Sequence, residues 1–226
     1  MTNRIFEFEF NGYNAIIVLP NNFNGKWIWK TEFFTAFDKA EVQLLNMGYA
    51  RVYYQISDKY GSPNAVKLMK DFYDFIIKEF NLNEKCILFG FSRGGLYAFN
   101  FAIKHPLCVD KIYLDAPVLD LKTWPHEGTF EQEQMLAEYK LTKQELLKFK
   151  NNPIDKIDEF FSLSIPLLLI AGDRDEVVPF KKNSGLVIDF CKVNNISLNY
   201  VVKKGCLHHP HSLVDVKHII DFCNSY

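Results

Sequence analysis

The chain has 226 residues, 48% of them apolar and 23% charged, with a formal net charge of −1. That length can bury a sizeable core, and the near-neutral balance leaves no electrostatic footprint for nucleic acid or an anionic membrane surface. No apolar run approaches the roughly 20 residues needed to cross a bilayer.

The start, "MTNRIFEFEF", alternates charged and apolar residues, so no signal peptide is expected. The five cysteines are odd in number and lack Cys-x-x-Cys spacing, which argues against a disulfide framework and a zinc knuckle and fits a reducing cytoplasm. "IFEFEF" and "NAIIVLP" read as two strands joined at Asn11-Gly12, a dipeptide suited to a tight hairpin. "TEFFTAFDKAEVQLLNMG" places Phe33, Phe34, Phe37, Ala40, Leu44 and Leu45 at helical spacing, with Thr31 as cap and Gly48 as stop. "YARVYYQ" reads as a strand, and Asn64 to Phe80 as an amphipathic helix burying Val66, Met69, Phe72, Ile76 and Phe80.

"KCILFG" is a short apolar run of the kind found in a central parallel strand covered on both faces. The segment after it, "RGGLYAFNFAIKHP", is apolar nearly all round, as a helix in the middle of a domain would be. "KIYLDAP", "IPLLLIAGD" and "LNYVVKKG" read as further strands, and an amphipathic helix from about Ser212 closes the chain. Strands alternating with helices predict an α/β fold with a mostly parallel central sheet and helices on both faces. Between Pro117 and Ser164 no strand-like run occurs. "LTKQELLKFK" is helical, with a capping box at Thr142 and Glu145 and a stop at Asn152-Pro153, and this excursion is expected to form a small helical cap over the C-terminal edge of the sheet. No repeat or low-complexity tract interrupts the chain, so residues 1–226 are expected to form a single domain.

In a parallel sheet every strand's C-terminal end opens on one edge, where ligand sites lie. Three polar loops follow three such ends. "GFSRGG" puts Ser92 between Gly90 and Gly94. Asp173, Asp175 and Glu176 follow "PLLLIAG", and His208, His209 and His211 follow "LNYVVKKG". A serine hydroxyl becomes a nucleophile when a histidine takes its proton and a buried carboxylate holds the imidazole in the right tautomer. The glycines allow the abrupt strand-to-helix turn that places Ser92 at its apex, and the Arg93 N–H then points where an oxyanion would form. The run "HHPH" also invites a metal, but adjacent histidines rarely face one ion and no carboxylate or cysteine stands at ligand spacing, so no metal site is expected.

"GFSRGG", "AGDRDEVVP" and "GCLHHPHSL" together resemble the α/β-hydrolase superfamily. Its compact prolyl-oligopeptidase-like and esterase-like branch is matched further in "WIWKTEFF", "SDKYGSP" and "DAPVLDLKTWP". The resemblance covers nearly the whole chain and implies an α/β-hydrolase fold and a serine hydrolase without cofactor. Its acid motif falls on Gly172, Asp175, Val178 and Pro179, which implies Asp175 as the triad acid, with Asp173 a turn former. The base stands soon after a glycine, which implies His208, with His209 as the alternative; His211 then orients the loop or caps the last helix. The second oxyanion donor comes from the loop after "AIIVLP", which here lacks the His-Gly-Gly of many lipases. Trp27 is the expected donor, and Trp29 follows it closely.

Trp29, Trp124 and His209 are expected to contact substrate. The Arg93 side chain either recognises a carboxylate or pairs with a nearby acid. The expected reaction is cleavage of a small-molecule carboxylic ester, an acylated carbohydrate among the candidates, through an acyl-enzyme. Peptidase or amidase action is the alternative, and a non-catalytic small-molecule binding protein on the same fold is a third reading.

Overall fold

A computed structural model describes residues 3–225; Met1, Thr2 and Tyr226, at the two ends of the stretches read above, lie outside the described residues. The alternation in the first strands builds a hairpin of β1 (Arg4–Phe10) and β2 (Tyr13–Leu19). Asn11 and Gly12 turn it with φ of 48° and 82°, the pair of positive values that a two-residue hairpin of this hand needs.

Six more strands follow: β3 (Trp27–Lys30), β4 (Ala50–Tyr54), β5 (Cys86–Phe91), β6 (Val109–Asp115), β7 (Leu167–Gly172) and β8 (Asn199–Lys203). They form one sheet in the order β1-β2-β4-β3-β5-β6-β7-β8. Only β2 runs against its neighbours; β4, β3, β5, β6, β7 and β8 are mutually parallel. This is the α/β-hydrolase arrangement expected from the alternation of elements and from the motif resemblance.

The period-2 pattern sends alternate side chains to two separate cores. On one face Trp27, Trp29, Leu88, Ile112, Leu114 and Leu169 pack with α2 (Pro63–Glu79), α3 (Gly94–Lys104) and α7 (Ser184–Val193). On the other, Ile28, Ile87, Phe89, Phe91, Tyr113 and Ile170 pack with α1 (Lys39–Asn46) and α8 (Lys217–Asn224). The helix after Ser92 is α3, buried along nearly its whole length as its composition demanded. No helix among the described residues is long and apolar enough to cross a membrane.

Two local expectations need correction. "WIWK" was read as loop and is β3, a short strand in the middle of the sheet. The helix expected from Thr31 starts only at Lys39. Phe33 and Phe37 adopt φ of 56° and 52°, which a helix excludes, and both rings are more than a third exposed. The aromatic spacing in "TEFFTAF" mimics a helical face but belongs to a turn that carries the chain out of β3.

The excursion between β6 and β7 carries α4 (Phe130–Tyr139), α5 (Lys143–Lys148) and α6 (Ile157–Ser162). Thr142 and Glu145 form their reciprocal cap at the start of α5. Fully buried Asn183 and Asn152 hold the segment's entry: their side-chain oxygens accept from the N–H groups of Leu119 (2.8 Å) and Leu121 (3.0 Å). The helices lie beside α3, where Phe160 stacks on Phe99. They also meet the loop after β4, where Tyr60 donates to Gln134 (2.9 Å) and Ser62 to Glu138 (2.7 Å). Residues 124–131 reach the C-terminal edge of the sheet.

Candidate active site

At the end of β5 the chain reverses into α3 within three residues. Ser92 sits at the apex with φ of 50°, a left-handed conformation costing a non-glycine residue on the order of 1 kcal/mol or more. Three backbone bonds enforce it: Ser92 N–H donates to Asp115 O, and its carbonyl accepts from Gly95 and Val118, each at 2.9 Å. The flanking glycines are needed for close approach. A Cβ on Gly90 would stand 2.8 Å from Leu114 Cδ2 and 2.9 Å from Ala98 Cβ, and one on Gly94 would stand 2.8 Å from Thr31 Oγ1. The turn thus presents the Ser92 hydroxyl while its backbone is held by the end of β6, the loop after it and the first turn of α3.

The parallel register brings the other two loops to the same edge. Ser92 Oγ donates to His208 Nε2 at 3.0 Å, and His208 Nδ1–H donates to Asp175 Oδ2 at 2.7 Å. Asp175 Oδ1 accepts from the N–H of Val178 at 2.9 Å, so both carboxylate oxygens are engaged. Asp175 and His208 are almost fully buried, and Ser92 is 8% exposed. All three groups are therefore held largely away from bulk water. Asp173 turns away, accepting from Gly205 N–H at 2.7 Å, as a turn former does.

A second buried network sits against the first. Asp115, at the end of β6, accepts from His211 Nδ1–H (2.8 Å), Ser212 N–H (2.8 Å) and the Tyr113 hydroxyl (2.6 Å). Burial alone would raise its pKa, but the His211 bond, the Lys203 charge and the Tyr113 bond hold the carboxyl below the usual range. These contacts pin the histidine loop at its far end, so His211 orients the loop. Asp115 gave no sequence signal, since an acid ending "KIYLD" reads as the close of a strand.

The oxyanion side requires a correction. Trp27 begins β3, whereas Ser92 follows the end of β5, and the two strands are parallel with Lys30 level with Phe89. At about 3.3 Å per residue, Trp27 lies about 20 Å from the level of Ser92. Its indole donates to Asn83 O (2.8 Å) at the opposite edge, so it cannot reach a carbonyl at Ser92. Trp29 is 1% exposed and packs on Phe72 and Phe101, a core residue and not a substrate contact. The segment that does face Ser92 is Thr31–Phe37. Arg93 N–H, immediately after Ser92, has no acceptor among the described residues, and neither does Phe33 N–H.

Two ion pairs shape that segment: Lys30–Glu41, which sequence reading missed, and Arg93–Glu32, the acid pairing that was one of the two expectations for Arg93. Lys30 Nζ pairs with Glu41 at 2.5 Å, donates to Ala36 O at 2.8 Å and lies 3.9 Å above the Phe91 ring. Burial pushes Lys30 below the ordinary lysine value and Glu41 above the ordinary carboxylate value. Glu32 pairs with Arg93 Nη2 at 3.2 Å and accepts from Ser57 at 3.0 Å. Burial raises the Glu32 pKa against the opposing charge of Arg93. The Arg93 guanidinium thus has an acid partner within the protein.

A depression of about 370 Å³ opens beside Arg93, lined by Phe33, Trp124, His126, Thr129 and Glu131 among others. Larger depressions, of about 420 and 540 Å³, lie beside Trp27 and beside α7; none of the three is lined by Ser92, His208 or Asp175, and only the one beside Arg93 adjoins the residue that follows Ser92. Trp124 lines the depression beside Arg93. His209 is exposed at the rim, stacked on Phe37 with ring centroids 5.8 Å apart.

Comparison with known proteins follows the same geometry. A model described as the prolyl oligopeptidase family matches residues 36–224. No curated protein matches the chain. Among solved structures it is similar to a Staphylococcus aureus fluorophosphonate-binding serine hydrolase, FphF, at 13% identity and TM-score 0.70, covering 92% of each chain. It is also similar to a Mycobacterium tuberculosis puromycin-hydrolyzing peptidase (14% identity, TM-score 0.68) and a Pyrococcus horikoshii acylaminoacyl peptidase (15%, 0.68). In both cases 92% of this chain is covered but only 36% and 37% of theirs, so it spans about a third of the length of those two peptidases.

Proposed function

The chain belongs to the prolyl oligopeptidase family of serine hydrolases, and we propose that it cleaves carboxylic esters through an acyl-enzyme on Ser92. The observation that carries this reading is the continuous chain Ser92 Oγ, His208 Nε2, His208 Nδ1, Asp175 Oδ2, at 3.0 and 2.7 Å. In the first step Ser92 Oγ attacks the ester carbonyl and its proton passes to His208 Nε2, while ionised Asp175 stabilises the imidazolium. The carbonyl oxygen becomes an oxyanion received by the N–H of Arg93 and, in place of Trp27, the N–H of Phe33. The intermediate collapses, the alcohol departs with the proton held by His208, and the acyl group stays on Ser92. Water then attacks that acyl group with His208 as base, and the acid leaves.

Phe33 is preferred as the second donor because its positive φ turns the segment after β3 at the level of the elbow. It also lines the depression beside Arg93. Trp124 offers a flat apolar surface there for an aromatic or sugar ring. Peptidase action is the second reading, favoured by the family description and by the two peptidases of similar fold. A panel of p-nitrophenyl and acylated-sugar esters run beside aminoacyl-amide reporters separates the two. Turnover of esters that falls on the order of a million-fold in Ser92→Ala supports the proposal; turnover of amides alone replaces it with the peptidase reading, and ester turnover untouched by Ser92→Ala ends both.

A further inference from the structure

The histidine loop holds an arrangement that ester cleavage does not use. His208, His209 and His211 each offer one ring nitrogen within 4.8 Å of the other two. Their ring centroids form a nearly equilateral triangle with sides of 4.8, 4.8 and 4.9 Å, and the planes cross at 72°, 81° and 88°. Three imidazoles bound to one tetrahedral zinc ion would have centroids about 5 Å apart and rings turned out of each other's plane. Adjacent histidines ordinarily diverge, but here the chain bends between His209 and His211 so that the three rings meet.

The groups behind the rings also suit a cation. Asp175 accepts from Nδ1 of His208, and Asp115 accepts from Nδ1 of His211. A carboxylate behind each of these two imidazoles fixes the tautomer that leaves Nε2 for a metal and raises its basicity. The two carboxylates supply charge to balance a divalent ion, offset in part by Lys203, whose Nζ is 3.9 Å from Asp115. Exposed His209 completes the set from the solvent side and leaves an entry path.

We propose that this loop is an inhibitory site for a borderline divalent cation of the zinc class, built on the catalytic base itself. Bonds of about 2.05 Å require nitrogen atoms about 3.3 Å apart, so the loop tightens by no more than about 1.5 Å on binding. His208 Nε2 then binds the ion and no longer accepts from Ser92, and the nucleophile loses its base. Oxygen-preferring Mg²⁺ does not compete at such a site.

The test is zinc titration, with binding and turnover read separately. Ser92→Ala keeps all three histidines, so it should bind one Zn²⁺ per chain by calorimetry, a result independent of any substrate. In the unsubstituted enzyme Zn²⁺ should abolish turnover, EDTA should restore it, and equal Mg²⁺ should leave it unchanged. His209→Ala and His209→Gln, both at an exposed position, should raise the Zn²⁺ concentration for half occupancy by about 100-fold or more. Zinc binding that is absent in Ser92→Ala, unchanged in both His209 variants, or lost instead in Cys206→Ser would overturn the proposal.

Discussion

The contact between the acid loop and the histidine loop sets how well His208 is held, and Gly172 is its narrowest point. A Cβ added there would stand 2.4 Å from the carbonyl oxygens of both Cys206 and Leu207. Ordinary carbon–oxygen contact begins near 3.4 Å, so Gly172→Ala drives the start of the histidine loop outward by about 1 Å. The two bonds of His208, at 2.7 and 3.0 Å, would then stretch beyond hydrogen-bonding reach. A misplacement of about 1 Å costs on the order of 100-fold in kcat. The assay is steady-state turnover of a nitrophenyl ester, with a cooperative melting curve to show that the variant is folded. Gly12→Ala is the control: its φ is 82° and nothing lies within 4 Å, so it strains the hairpin by about 1 kcal/mol and leaves kcat unchanged. A folded Gly172→Ala enzyme with full kcat would refute the claim that this contact positions the base.

Further consequences follow from the buried charges. Lys30→Met strands Glu41 in the core beside the segment facing Ser92, and should cost on the order of 3–5 kcal/mol in urea unfolding. The Lys30→Met/Glu41→Leu double variant should regain most of that; an equal loss in both would show that the pair is not the cause. Asp115 has a folded pKa below its ordinary 3.8, so its contribution is complete above about pH 5 and fades as pH falls toward its folded value. Asp115→Asn should therefore flatten the acid side of the stability profile below about pH 5, and an unchanged slope there would contradict the assignment.

Most of the sheet was legible because its central strands are short apolar runs bounded by turn residues, as in "CILFGF" and "LLLIAG". The meeting of Ser92, Asp175 and His208 at one edge was legible for a related reason: each lies in a loop after a strand, and parallel strands bring their C-terminal ends together. Where the sequence misled, two periodicities competed. "WIWK" is too short for a strand pattern, and the phenylalanines of "TEFFTAF" repeat at helical spacing while serving a turn. Reading "WIWK" as loop put Trp27 beside Ser92, whereas it begins β3 at the opposite edge of the sheet. Lys30, Glu32, Glu41 and Asp115 were invisible because a buried charge is recognised by its partner, and each partner is distant in sequence or on another element.

Covalent capture of the nucleophile tests the central claim most directly. The folded protein is treated with a fluorophosphonate, digested, and its peptides weighed. The account predicts a single adduct on the peptide containing Ser92, absent in Ser92→Ala and strongly slowed in His208→Ala. An adduct on a different residue, or active enzyme that leaves Ser92 unlabelled, would contradict it.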